Sequence, residues 1–285
     1  MHNIALSWQQ AAVLAIALAV LFAVLRGTGS AGARRLAPFA GESCLIAVLY
    51  SIWQLAGDLS VTGASGAYSR GSWIEQFEHD IRLPSERSIQ QLIIAHPLIT
   101  QGANLYYATM HFTALFVFLL WLFVRHRDRY GAVRTTLALA TFVCLLIQLQ
   151  PVAPPRLMAG YVDTAREYGQ SVYGLGLGAD ELSAMPSVHV AWAVLIGWYV
   201  ARIGRGRWRW LGALHAAVTV FVVVATANHW WLDGIVAAAV LVASAWLRFG
   251  VARLIAVAWR GSGVVAAAPP RAIATTRTAD SGSQS

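Results

Sequence analysis

The chain has 285 residues, 58% of them hydrophobic and 12% charged, with a formal net charge of +8. A soluble domain is about 45–50% apolar and about 25% charged, so an ordinary water-soluble globule is excluded. All 21 basic residues are arginine, and they sit in short loops between apolar runs, a placement that points to membrane orientation and away from nucleic-acid binding.

Taken in chain order, the apolar runs predict spans at 8–25, 41–60, 104–124, 135–151, 186–202, 211–228 and 231–249. Each approaches the roughly 20 residues that a helix needs to cross the hydrocarbon layer. The expected fold is all-α: a polytopic transmembrane helix bundle of six to seven spans with an interfacial helix on its outer side. Residues 1–60 supply two N-terminal spans, and no positively charged region precedes the first, which argues against a cleaved signal peptide. Residues 61–103 form an outer segment. There Pro84 suits a helix start, and Leu83, Ile89, Leu92 and Ile93 can make an apolar face for a helix lying on the membrane. Residues 104–250 are the expected core, with a long Pro- and Gly-containing loop over 152–185. Residues 251–285 form a cytoplasmic tail, rich in Ala, Pro, Thr and Ser from about 262 and expected to be largely disordered. Trp230 and Trp231 read as anchors at the outer interface, and Trp208 and Trp210 at the inner one. Cys44 and Cys144 fall inside apolar runs and read as buried thiols.

Orientation follows from arginine placement. With the N-terminus outside, 16 arginines face the cytoplasm and 5 (Arg70, Arg82, Arg87, Arg156, Arg166) face out. The composition, arginine-rich without lysine, points to a GC-rich bacterial gene and hence to the plasma membrane.

Ionisable residues near spans are costly and usually functional. In this topology Arg156, His189, His229 and Asp233 all reach the outer face, although none of the histidines or the aspartate entered the arginine count. His229 and Asp233 are four apart and share a helical face. An aspartate there can fix the tautomer of the ring and leave its other nitrogen free to attack. In Met-Pro-Ser-Val-His, Pro186 sits at an expected first helical position, the N–H groups of such a start attract phosphate, and His189 can deliver a proton to a departing oxygen. Arg156 offers a planar fork for phosphate oxygens, or alternatively a snorkelling headgroup contact. Asn104, Tyr107 and His111 are spaced for one face of the third span and can line a polar cleft, or form a structural network. Packing or interfacial roles explain His96, His126 and His215 more simply. Two histidines and one aspartate lack a third strong metal ligand at fixed spacing, so no metal or cofactor is expected.

These residues resemble the type 2 phosphatidic acid phosphatase (PAP2) superfamily, through Pro-Ser-x-His (Pro186, Ser187, His189) and His-x-x-x-Asp (His229, Asp233), over roughly residues 100–250. The resemblance also has departures. The superfamily's first motif carries a lysine and an Arg-Pro, of which only Arg156 has a counterpart. Where its third motif carries Ser-Arg, this chain has Val222 and Val223. Val-Ala-Pro-Pro-Arg and His-Trp-Trp-Leu-Asp look more like the inositolphosphotransferase branch, which includes fungal inositol phosphorylceramide synthases. That resemblance implies His229 as nucleophile, Asp233 as its orienter, His189 as acid/base, Arg156 and Ser187 as phosphate-binding, and membrane lipids as substrates. Transfer of a phospho-headgroup through a phosphohistidine is the expected activity. The alternatives are a phosphatase acting on phosphatidate or polyprenyl phosphate, and a non-catalytic lipid-binding or transport protein. Nothing in the sequence fixes the oligomeric state.

Overall fold

The computed structural model describes residues 6–61, 65–168 and 181–261. Among them, ten α-helices follow in order. They are α1 (Trp8–Gly27), α2 (Ala31–Val61), α3 (Ala67–Asp80), α4 (Glu86–Ile94), α5 (Pro97–Arg125), α6 (Arg127–Gln148), α7 (Thr164–Glu167), α8 (Val188–Ile203), α9 (Arg209–Ala225) and α10 (Trp231–Gly261). No strand occurs among the described residues, and a single parallel bridge joins Val152 to Ser183. The protein is an all-α polytopic bundle.

Among the described residues, six helices are long and apolar enough to cross a membrane. The remaining expected span, α8, has 16 residues, about 24 Å at 1.5 Å per residue against a hydrocarbon core of about 30 Å. Observed helices outrun the expected spans at several ends. α2 begins ten residues before position 41, α5 seven before 104 and α6 eight before 135. Hydropathy marks only the apolar stretch of a helix, whereas backbone hydrogen bonding carries on through flanking polar turns such as Arg34 and Arg35. The disordered tail expected over 262–285 lies outside the described residues.

The chain divides into two compact units, 1–248 and 249–285. Of the second, only the continuation of α10 to Gly261 is described. Within the first, α1 and α2 form a hairpin. Ser7 starts α1 through a capping box with Gln10. Gly29, at φ 66°, makes the turn. Ala11, Ala15, Ala37, Ala40 and Ala47 are buried, small residues of the kind that let membrane helices approach closely. Glu42 of α2 joins α6, accepting from Tyr130 Oη at 2.8 Å and pairing with Arg134.

The central core gathers Phe118 and Leu122 of α5, Val133, Leu137 and Ala140 of α6, Leu195 and Ile196 of α8, and Leu241 of α10. α8 and α9 cross at two glycines. A Cβ on Gly197 would sit 2.9 Å from the Gly212 carbonyl oxygen, and one on Gly212 would sit 2.7 Å from Val200 Cβ. The outer segment of the sequence reading holds two helices, α3 and α4. Ser85, after Pro84, precedes α4. Ile93 is buried against α5 and α9 with Ala103, Val222 and Ala225 around it, whereas Leu92 is exposed. α3 presses on the chain ahead of Arg156. Arg70 Nε donates to the Pro151 carbonyl at 2.6 Å, and a Cβ on Gly71 would lie 2.9 Å from the Ala153 oxygen.

Trp230 corrects the anchor reading. It is 1% exposed, packs with Ile74, Val152 and Ala184, and donates from Nε1 to the Ala153 carbonyl at 2.9 Å. Its indole N–H finds a partner inside the protein and needs no interfacial water. Trp208 and Trp210 are each 64% exposed, as interfacial anchors would be.

Candidate active site

α9 ends at Ala225, and a tight turn leads into α10. The N–H groups of both Asn228 and His229 donate to the Val223 carbonyl, at 3.0 and 3.1 Å, while Ala227 adopts φ 54°. This turn, not a helix, carries His229, which stands two residues ahead of α10. The expected contact with Asp233 forms nonetheless, at 3.2 Å between Nδ1 and Oδ2. Its basis is a helix cap: Asp233, in the first turn of α10, also accepts from the Trp230 N–H at 2.9 Å.

The His229 tautomer follows from its neighbours. Nδ1 lies 2.8 Å from the Ala184 carbonyl oxygen. A carbonyl can only accept, so Nδ1 carries the proton and Nε2 the lone pair. Nε2 is buried and has no hydrogen-bond partner. A buried lone pair held without a partner is costly in a purely structural role and suits a nucleophile.

His189 occupies the second position of α8. Pro186 does not open the helix as expected. Ser187 is the N-cap, its Oγ accepting from the Val190 N–H at 3.3 Å while its own N–H donates to the Asp233 carbonyl at 3.1 Å. The fully buried Ser187 therefore ties the start of α8 to the start of α10, and its hydroxyl proton is left for another acceptor. His189 Nδ1 is buried without a hydrogen-bond partner. The His189 and His229 rings are 5.5 Å apart.

Two more predicted residues join them. The Tyr107 ring stacks on His189 at 4.5 Å, and the His111 ring meets it edge-on at 4.3 Å. His111 Nδ1 lies 2.9 Å from the Tyr107 carbonyl, so it too carries its proton there. Asn104 does not join the cleft. It is buried, and its amide clasps Thr164, accepting from Oγ1 at 2.8 Å and donating to the carbonyl at 3.0 Å.

A small cavity lies beside the histidines, lined by Tyr106, Tyr107, His111, His189, Thr219, Val222 and Val223. The two valines that replace the expected Ser-Arg thus wall the site itself. Arg156 is 4% exposed and sits in a 3-10 turn, Pro155–Leu157. Its N–H donates to the Ala227 carbonyl at 2.8 Å, its Nε to Asn228 Oδ1 at 3.1 Å, and its Nη1 pairs with Asp163 at 3.0 Å. Arg156, His189, His229 and Asp233 thus gather at one end of the bundle, around the turn before α10. Asp163, Asn228 and the Ala184 carbonyl escaped sequence reading. Asn228 had a faint signal, as half of the polar pair that interrupts the last two apolar runs; the other two are recruited from the loop by tertiary contact.

A family model described as the PAP2 superfamily matches residues 72–247. The chain belongs to the PAP2 superfamily. No curated protein and no solved structure matches it. PAP2 membership supports a lipid phosphatase or phosphotransferase type of function, and the matched stretch contains every site residue named above.

Proposed function

We propose that this PAP2 protein is an integral-membrane lipid phosphotransferase that works through a phosphohistidine on His229. The observation that carries the reading is the buried, partnerless Nε2 of a ring whose other nitrogen is held by Ala184 and Asp233. In the first step Nε2 attacks phosphorus of a lipid phosphoester. The P–N bond forms, the bond from phosphorus to the leaving oxygen breaks, and that oxygen takes a proton from His189. In the second step an acceptor hydroxyl returns a proton to His189 as its oxygen attacks phosphorus, and the P–N bond breaks. Asp233 faces the positive charge that the ring carries between the steps.

The proposed headgroup is a phosphodiester of the inositol-phosphate kind, as in the inositolphosphotransferase branch. Two features support it over a phosphomonoester. Val222 and Val223 make an apolar wall where two polar groups were expected, and Asp163 offsets part of the Arg156 charge. A diester bears one negative charge and needs less compensation than a monoester. We propose that the site faces the extracytoplasmic side, with the N-terminus outside and the C-terminus in the cytoplasm, on the strength of the arginine bias.

The test is incubation of purified protein with a panel of labelled phospholipids and polyprenyl phosphates, reading released phosphate and new lipids together. A new headgroup-bearing lipid, lost in His229→Ala, is expected. Release of free phosphate from monoesters alone would assign hydrolysis instead. Turnover that survives His229→Ala would remove the mechanism.

A further inference from the structure

The first turn of α10 has backbone N–H groups that the helix itself cannot satisfy. Two of them are met by carboxylates from outside the helix. The Leu232 N–H donates to Glu78 Oε1 at 2.6 Å, and the Trp231 N–H to Glu86 Oε1 at 3.5 Å. Glu78 comes from α3 and Glu86 from α4, and they are only 2% and 4% exposed. Because they take consecutive N–H groups of one turn, the two buried carboxylates are brought side by side, yet Glu78 Oε2 has no donor partner. Two ionised carboxylates in that position have no hydrogen to share and repel in a buried place, as paired carboxyls do. Among the described residues no three His, Cys, Asp or Glu side chains gather as a metal-binding set. A proton held between the two carboxyls would remove that repulsion.

We propose that Glu78 and Glu86 share one proton and together act as positioning residues, locking the first turn of α10 and through it Asp233 and His229. A neutral Glu78 accepts from Leu232 with Oε1 and donates its proton to Glu86. Loss of that proton places two buried negative charges beside a third, Asp233, and loosens the turn. The groups that face the pair are Asp233 from α10 and Tyr161 from the loop, while Arg87 and Glu75 pair with each other at 3.7 Å. Burial first, then the Glu86 hydrogen bond, push the Glu78 carboxyl up from its ordinary 4.5 to about 9. Between those two values the folded chain holds a proton that the unfolded chain releases. Stability therefore falls as pH rises through that window and levels off above about 9.

The inference rests on the proposed His229–Asp233 chemistry only for its effect on turnover, so its test has arms that do not need activity. Infrared spectra of the full-length protein at neutral pH are expected to show the carbonyl band of a protonated carboxylic acid. That band should vanish in Glu78→Gln and in wild type as pH passes about 9. Glutamine at 78 can accept from Leu232 and donate to Glu86, which mimics the protonated state. Hydrogen exchange over residues 229–236 should stay slow in Glu78→Gln and rise more than about tenfold in Glu78→Ala, which strips the Leu232 N–H of its partner. Where turnover is measurable, Glu78→Gln keeps it and flattens its alkaline fall, and Glu78→Ala loses it. Absence of the band in wild type would overturn the shared proton whatever the activity. Equal exchange in Glu78→Ala and wild type, or an alkaline limb unchanged in Glu78→Gln, would overturn the positioning role.

Discussion

At the residue scale, the site turns on which atoms hold a proton. His229 has two acceptors at Nδ1, the Ala184 carbonyl and the Asp233 carboxylate. Asp233→Asn removes the charge but leaves the carbonyl, and an asparagine oxygen can still accept from the Trp230 N–H. The variant should therefore fold, with its thermal midpoint close to that of wild type. Its turnover should nonetheless drop about 10²–10⁴-fold, because nothing negative then faces the cationic ring. Equal losses of folding and turnover would reassign Asp233 to a purely structural cap. His189, His229 and Asp233 were legible in the sequence because short motifs fix them along the chain. Glu78 and Glu86 were not. In sequence they are ordinary acids of a polar outer segment, and only the meeting of α3, α4 and α10 shows that they are buried. Asn104 erred the other way: its spacing fits the face of Tyr107 and His111, but Thr164 captures it first.

At the element scale, the site depends on how closely α8 and α9 pack, since α8 carries His189 and α9 carries Val222 and Val223 and leads to His229. The crossing at Gly197 and Gly212 leaves no room for a methyl group. Gly212→Ala should force the helices apart, at a cost of about 1–3 kcal/mol, and lower the thermal midpoint by roughly 3–10 °C. Turnover should fall as well, because the two histidines separate. Gly102→Ala in α5 is the control. Nothing lies within 4 Å of its added Cβ, so it should be neutral or slightly stabilising. The helices themselves were legible, since long apolar runs leave the backbone no other way to satisfy its hydrogen bonds in lipid. Their ends were not, because hydropathy stops where lipid stops. Trp230 was misread for a related reason: a tryptophan at a span end is normally an anchor, and only the Ala153 carbonyl beside its indole shows that it faces inward.

At the scale of the whole molecule, the six long helices among the described residues would, if the shorter α8 also crosses, make an odd number of crossings and place residues before α1 and after α10 on opposite sides. The arginine bias then chooses between two orientations. Outward-facing loops would carry Arg156, whose charge is offset by Asp163, and the inward turn from α8 into α9 would carry Arg205 and Arg207 in the loop and Arg209 at the first position of α9. The site end of the bundle and the arginine-rich end are thus opposite ends, and a single measurement can orient both. Ala159, beyond Arg156, and Arg207, between α8 and α9, are exposed. Each can be changed to cysteine in a background with Cys44 and Cys144 replaced by serine. In intact cells a membrane-impermeant maleimide should label Ala159→Cys and spare Arg207→Cys until the membrane is opened. The reverse pattern would invert the topology and place the histidines in the cytoplasm. That result would leave the histidine chemistry untouched but would require the lipid donor and acceptor to come from the inner leaflet, so labelling decides where a substrate for this site has to be sought.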